Sequence, residues 1–179
     1  MHRIRFSALL PLFIFTFFFS GSLLLHSTFG TFFSRDDGFF HARMSHALWY
    51  GYDVIMPKFS TQSTHTANLY FGYHAAMSPF VAACSTDDTP CIIHGSEVFH
   101  SVILGIFATL LYLIFLHVLR KRQTPEAEAL ALMVATLMFF VPNFLYRMVV
   151  ERPIAWTLIF FAGSLYALLE KRERWLFGI

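Results

Sequence analysis

Val98-Phe99-His100-Ser101-Val102-Ile103-Leu104-Gly105-Ile106-Phe107-Ala108-Thr109-Leu110-Leu111-Tyr112-Leu113-Ile114-Phe115-Leu116-His117-Val118-Leu119 holds no Lys, Arg, Asp or Glu, and Arg120-Lys121-Arg122 closes it. A helix of roughly 20 apolar residues crosses a bilayer, so this stretch reads as a transmembrane span. Three more runs read the same way: about Ser7 to Thr28, about Ala127 to Tyr146, and about Pro153 to Leu169. The last is the shortest, near the lower limit for a span. Composition agrees, with 56% hydrophobic residues, 13% charged and 23 phenylalanines in 179 residues. A soluble domain would carry about 25% charged residues. A net charge of +2 gives no reason to expect a nucleic-acid partner. The expected fold is all-α: a polytopic membrane protein, one membrane domain over 1–179, with four transmembrane helices and a long helical first outer loop over 29–97.

Lys and Arg set the expected orientation. Arg3, Arg5, Arg120, Lys121, Arg122, Lys171, Arg172 and Arg174 fall on one side of this scheme, and Arg35, Arg43, Lys58, Arg147 and Arg152 on the other. Short basic flanks decide sidedness, so both termini are expected in the cytoplasm and the first loop in the periplasm of a bacterial inner membrane. The first span has the basic start and apolar run of a signal peptide, but Phe29 to Phe33 lacks a small-residue cleavage site, which favours a retained anchor.

The outer loop is too long to be a simple connection. Ser34-Arg35-Asp36-Asp37 has the form of a capping box and predicts a helix from there to about Tyr50, ended by Gly51. On that helix Phe40, Met44, Ala47 and Leu48 form an apolar stripe, while Asp37, His41 and Ser45 lie one turn apart on another face. Lys58 to Asn68 reads as a polar loop. Leu69 to Ala83, interrupted by Pro79, reads as a second helical segment. Both segments are expected to lie on the membrane surface as interfacial helices. Cys84 and Cys91 flank a short polar stretch on the expected oxidising side, which predicts a structural disulfide with no catalytic role. Two cysteines are too few for a zinc site, even with His94 nearby.

Asp36 and Asp37 have a structural reading, as acids favoured at a helix N-terminus. His26 and His117 sit near span ends, where snorkelling is ordinary. His65, His94 and His100 lack ligand spacing, as does His74 taken alone. Arg147, Glu151 and Arg152 read as a solvated turn.

Asp37-Gly38-Phe39-Phe40-His41-Ala42-Arg43 adds a second reading, because it places Asp-x-aromatic-aromatic-polar-x-Arg directly after a first transmembrane helix. This resembles the first outer loop of the GT-C superfamily of polytopic glycosyltransferases. The likeness is to the oligosaccharyltransferase catalytic subunit and its bacterial relatives, and to the dolichyl-phosphate-mannose protein mannosyltransferases. Tyr73-His74-Ala75-Ala76-Met77-Ser78-Pro79-Phe80 resembles a second patch of the bacterial members.

The resemblance implies sugar transfer from a polyprenyl-phosphate-linked donor to an acceptor on the non-cytoplasmic face. Asp37 then maps onto the family's catalytic aspartate, which binds a divalent metal, Mg or Mn, or serves as base, with Asp36 beside it. His41 and Arg43 would orient Asp37 or touch phosphate, and His74 would line the same pocket. The leaving phosphate needs cationic charge, for which Arg147 and Arg152 are the candidates.

The chain departs from the family in length and lacks a second acidic motif on a later outer loop, where Glu151 is the acid present. Trp175 to Ile179 reads as the start of another apolar span, so the chain is expected to be the N-terminal part of a larger enzyme, or a shortened relative. A non-catalytic membrane subunit or scaffold, binding a lipid headgroup or partner protein through its outer loop, is the alternative.

Overall fold

The computed structural model describes residues 6–33, 37–51, 71–149 and 153–171, and every element among them is helical. In order these are α1 (Phe6–Phe33), α2 (Asp37–Trp49), α3 (Phe71–Val81), α4 (Thr89–Lys121), α5 (Ala127–Leu137), a 3₁₀ turn (Met138–Phe140), α6 (Pro142–Val149) and α7 (Pro153–Leu169). The expected cap Ser34, the polar loop Lys58 to Asn68, and Leu69 and Tyr70 lie outside the described residues.

Helix α4 is the centre of the molecule and packs against α1, α2, α3, α5, α6 and α7. Its 33 residues span about 50 Å at ~1.5 Å per residue, against ~30 Å of hydrocarbon in a bilayer. The excess lies at its start, where the sequence is more polar. Asp88 is the N-cap, its side chain accepting from the Cys91 amide at 3.0 Å, and Pro90 follows inside the first turn. The helix therefore begins at Thr89, about nine residues before the apolar run that marks it in the sequence.

Helix α1 runs antiparallel to α4, with Ser22 beside Ser101, Phe15 beside Gly105 and Pro11 beside Thr109. The backbone kinks at Phe29, where the apolar segment ends. The two helices meet closely because Gly105 has no side chain: a Cβ there would stand 2.8 Å from the Phe15 ring. The chain then turns back along α4 through α5 and α6, so that Arg120 meets Glu128 and Phe107 meets Phe144. It runs down once more in α7, parallel to α4, from Trp156 beside Phe99 to Glu170 beside His117.

Among the described residues two helical segments are long and apolar enough to cross a membrane, Leu9–Phe29 and Thr89–Lys121. The expected third span, Ala127 to Tyr146, is not one continuous helix. Proline has no amide hydrogen and pushes the preceding residue out of helical geometry. Val141, before Pro142, accordingly sits at φ −78° and ψ 109°, and α6 starts afresh beyond it. Helix α7 has 17 residues, about 25 Å, shorter than the hydrocarbon layer.

Burial follows the pattern of a lipid-facing surface. Large apolar side chains point outward on α1, α5, the 3₁₀ turn and α7; Phe13 is 62% exposed and Phe161 69%. Small residues make the inner seams, Ala127, Ala131 and Ala135 on α5 and Ala155 and Ala162 on α7. Between helices in lipid the gain comes from close packing of such small residues, since there is no water to expel.

Candidate functional site

At the end of the bundle where α4 begins, α3 folds back along the first turns of α4. The sequence pattern reads α2 and α3 as interfacial helices; in the structure α3 and α4 form a helical hairpin against which α2 packs. The hairpin turn is closed by the Cys84–Cys91 disulfide, with Cα atoms 5.6 Å apart. Gly95 permits the close approach, because a Cβ there would lie 2.5 Å from the Phe80 carbonyl oxygen. Pro79 cannot donate to the Ala75 carbonyl, and Ser78 Oγ donates to it instead at 2.8 Å.

Helix α2 packs against this hairpin with its polar face inward. His41, Ala42, Ser45 and His46 are buried, while Phe40, Met44, Ala47 and Leu48, the apolar stripe, are only half-buried. The inversion has a physical cause. Carbonyls at the end of α3 need donors, and α2 supplies them. His46 Nε2 donates to the Cys84 carbonyl at 2.8 Å, and Tyr50 Oη to that of Ala82 at 3.1 Å. Gly51, at φ +72°, then ends the helical segment as its sequence position predicts.

The inward face brings together residues far apart in sequence. His41 Nδ1 lies 2.7 Å from His74 Nε2, so the two rings share one proton in a hydrogen bond. Below them, Tyr73 Oη donates to His100 Nε2 at 2.7 Å. That direction is fixed, because His100 Nδ1 donates to the Ser96 carbonyl at 2.8 Å, leaving Nε2 as the acceptor. His26 of α1 is fully buried and close enough to His100 for electrostatic interaction. Ser101 Oγ donates to the Glu97 carbonyl at 2.8 Å and stands 3.1 Å from Ser22 Oγ, completing a polar layer between α1 and α4. Burial, and secondarily the neighbouring His41, lower the His74 pKa from 6.5 to about 4, so this imidazole is neutral at pH 7.

The sequence candidates fall into three groups. His41 and His74 meet directly. Arg43 is turned toward the disulfide turn: its guanidinium donates to the Thr86 carbonyl, to Thr89 Oγ1 at 2.5 Å, and stacks on the Phe39 ring at 5.3 Å. It ties α2 to the start of α4. Asp37 opens α2 and so lies one helical turn before His41, its side chain outside the described set; Arg147 lies in α6 with its side chain likewise outside. Asp36 and Arg152 are outside the described residues altogether.

His26, His46 and His100 are the members that sequence reasoning misses. His26 does not snorkel; it is buried against α4. The signal available was position: an ionisable side chain inside a membrane-length apolar helix is costly and calls for a partner. His117 is also partnered, lying 2.9 Å from Glu170.

A divalent cation needs several free lone pairs converging on one point. The His41–His74 bond engages one nitrogen on each ring, and among the described residues no three of His, Cys, Asp and Glu converge as ligands. The described donor set does not make a metal centre. Comparison of the chain with protein-family models, with curated proteins and with solved structures gives no match.

Proposed function

We propose that this chain is a membrane glycosyl-transfer protein of GT-C type, moving a sugar from a polyprenyl-phosphate donor to an acceptor on the non-cytoplasmic face of a bacterial inner membrane. One observation carries the reading. The two patches that resemble the family, Asp37 to Arg43 and Tyr73 to Phe80, are separated in sequence yet meet through the 2.7 Å His41–His74 bond. Asp37 precedes His41 by one turn on α2.

In this reading the Asp37 carboxylate takes the proton of the acceptor group, which is a poor nucleophile without a base. The acceptor atom then bonds to the anomeric carbon as the bond from that carbon to the phosphate oxygen breaks. Polyprenyl phosphate leaves with the electron pair, and Arg147 of α6 and Arg152, which follows α6 in sequence, are the cations offered to it. The bonded His41–His74 pair begins one helical turn after Asp37 along α2. Asp36 is the adjacent acid, and Arg43 holds α2 against the hairpin. The divalent cation of the resemblance, Mg or Mn, belongs to the same proposal with Asp37 as its ligand, and no step is routed through it. Four membrane passes with both termini cytoplasmic also belong here. The disulfide turn supports that sidedness, since such bonds persist in oxidising compartments.

A second reading is favoured by the satisfaction of the buried cluster: His46, Tyr73 and His100 bond to one another or to backbone. A non-catalytic membrane subunit or scaffold would have the same layer as packing. Asp37→Asn separates the two in the full-length protein, assayed for transfer from a polyprenyl-linked sugar in membranes and normalised to inserted protein. The expected result is a loss of roughly 100-fold or more, the usual contribution of a positioned base. Near-full activity, or no transfer by the unsubstituted protein, overturns the transferase and leaves the subunit.

A further inference from the structure

At the opposite end of the bundle the last turns of α4 and α7 border a cleft of about 520 Å³. Its lining combines two chemistries. Leu113, Leu116 and Leu169 are buried or half-buried, and Arg120, Lys121 and Lys171 are exposed. Glu170 also lines it, but its carboxylate is held by His117 at 2.9 Å. Three cations therefore face one engaged carboxylate. Arg120 reaches out of the cleft to Glu128 at 2.6 Å, a pair with both side chains about half exposed. Exposed pairs of this kind contribute little, so Arg120 is readily drawn to a competing anion.

We propose that this cleft binds the phosphate of an anionic phospholipid, with an acyl chain laid along the leucine wall. Lysine and arginine are phosphate binders by charge, and arginine also by its fork of donors. Basic recesses between membrane helices recognise lipid headgroups in this way. The leucines of the lining select the source, because they offer nothing to inorganic phosphate and match a hydrocarbon chain. The cleft is independent of the histidine layer and of the transferase reading: its residues lie on the last turns of α4 and α7, at the other end of the bundle.

The test uses the whole protein in neutral detergent, read by native mass spectrometry and by thermal midpoint. The probes are phosphatidylglycerol, phosphatidylcholine of the same chains, and inorganic phosphate. The expected result is a retained adduct and a raised midpoint with phosphatidylglycerol alone. Lys121→Ala with Lys171→Ala should weaken that lipid roughly thirtyfold, at about one tenfold step per 1.4 kcal/mol and ~1 kcal/mol per basic residue. Both lysines are exposed, so the lipid-free midpoint should not move. An equal shift from inorganic phosphate would make the ligand a free anion and overturn the lipid. Equal binding of both lipids, no binding, or binding that survives the double substitution would overturn the site.

Discussion

At the residue scale two glycines make a matched pair. Gly95 sits where α3 and α4 touch, with the Phe80 carbonyl oxygen 2.5 Å from where its Cβ would be, and that neighbour is backbone and cannot rotate away. Gly21 of α1 has nothing within 4 Å of the same position. Gly95→Ala should therefore destabilise the protein by about 1–3 kcal/mol, the usual cost of overpacking. Gly21→Ala should be neutral or stabilising by up to ~1 kcal/mol, through helix propensity. Thermal midpoints of the two variants in one detergent check both; equal midpoints would remove the close contact. His74 gives a pH test at the same scale. Its folded pKa, about 4, lies below the ordinary 6.5, so the unfolded chain binds the proton more readily. Its contribution is fully present above pH 6.5 and is lost as pH falls toward 4. His74→Gln, neutral at every pH, should flatten the midpoint-against-pH curve in that window. A curve of unchanged slope would contradict a buried, neutral His74.

At the element scale the disulfide turn joins α3 to α4. Closing a loop of this size removes about 2.5 kcal/mol of unfolded-chain entropy. Reduction, or Cys84→Ser with Cys91→Ser, should lower stability by up to that amount, and should loosen α3 and α2 more than α5 and α7. Hydrogen exchange read by peptide distinguishes this from uniform loosening. Much of this scale was legible in the sequence. Gly51 marked the end of α2, the cysteine spacing pointed to the bond, and apolar length located the α1 and α4 segments. Three features were not legible. Helix α4 starts at Thr89 because Asp88 and Pro90 form its first turn, and a search for hydropathy passes over such polar residues. The third apolar run is split because one residue, Pro142, outweighs the averaged hydropathy around it. Helix α2 turns its polar face inward because donors are needed by carbonyls on another helix, a tertiary demand that periodicity within α2 does not contain. The candidate site was legible in part for the same reason: His41 and His74 stood in recognisable patches, whereas His26, His46 and His100 acquire meaning only through partners on other helices.

At the scale of the whole molecule, bulky apolar side chains cover the outside of α1, α5 and α7 while alanines line the inner seams of α5 and α7, an arrangement suited to a bilayer. Sidedness is tested by reporter fusions after Arg122 and Arg174, expected to read cytoplasmic, and by an insertion at Gln62, expected to read external. Reversed signals would put the histidine layer on the wrong side for a polyprenyl-linked donor and would end the transferase reading. The central position of α4 has another consequence. Helices α1 and α7 each rest chiefly on α4, and neither packs extensively on the other. The bundle is thus assembled like spokes on an axle, with recognition concentrated in one part. Severing the chain between α2 and α3 leaves every α4 interface intact, so two separately made pieces retain the surfaces that let them find each other in the membrane.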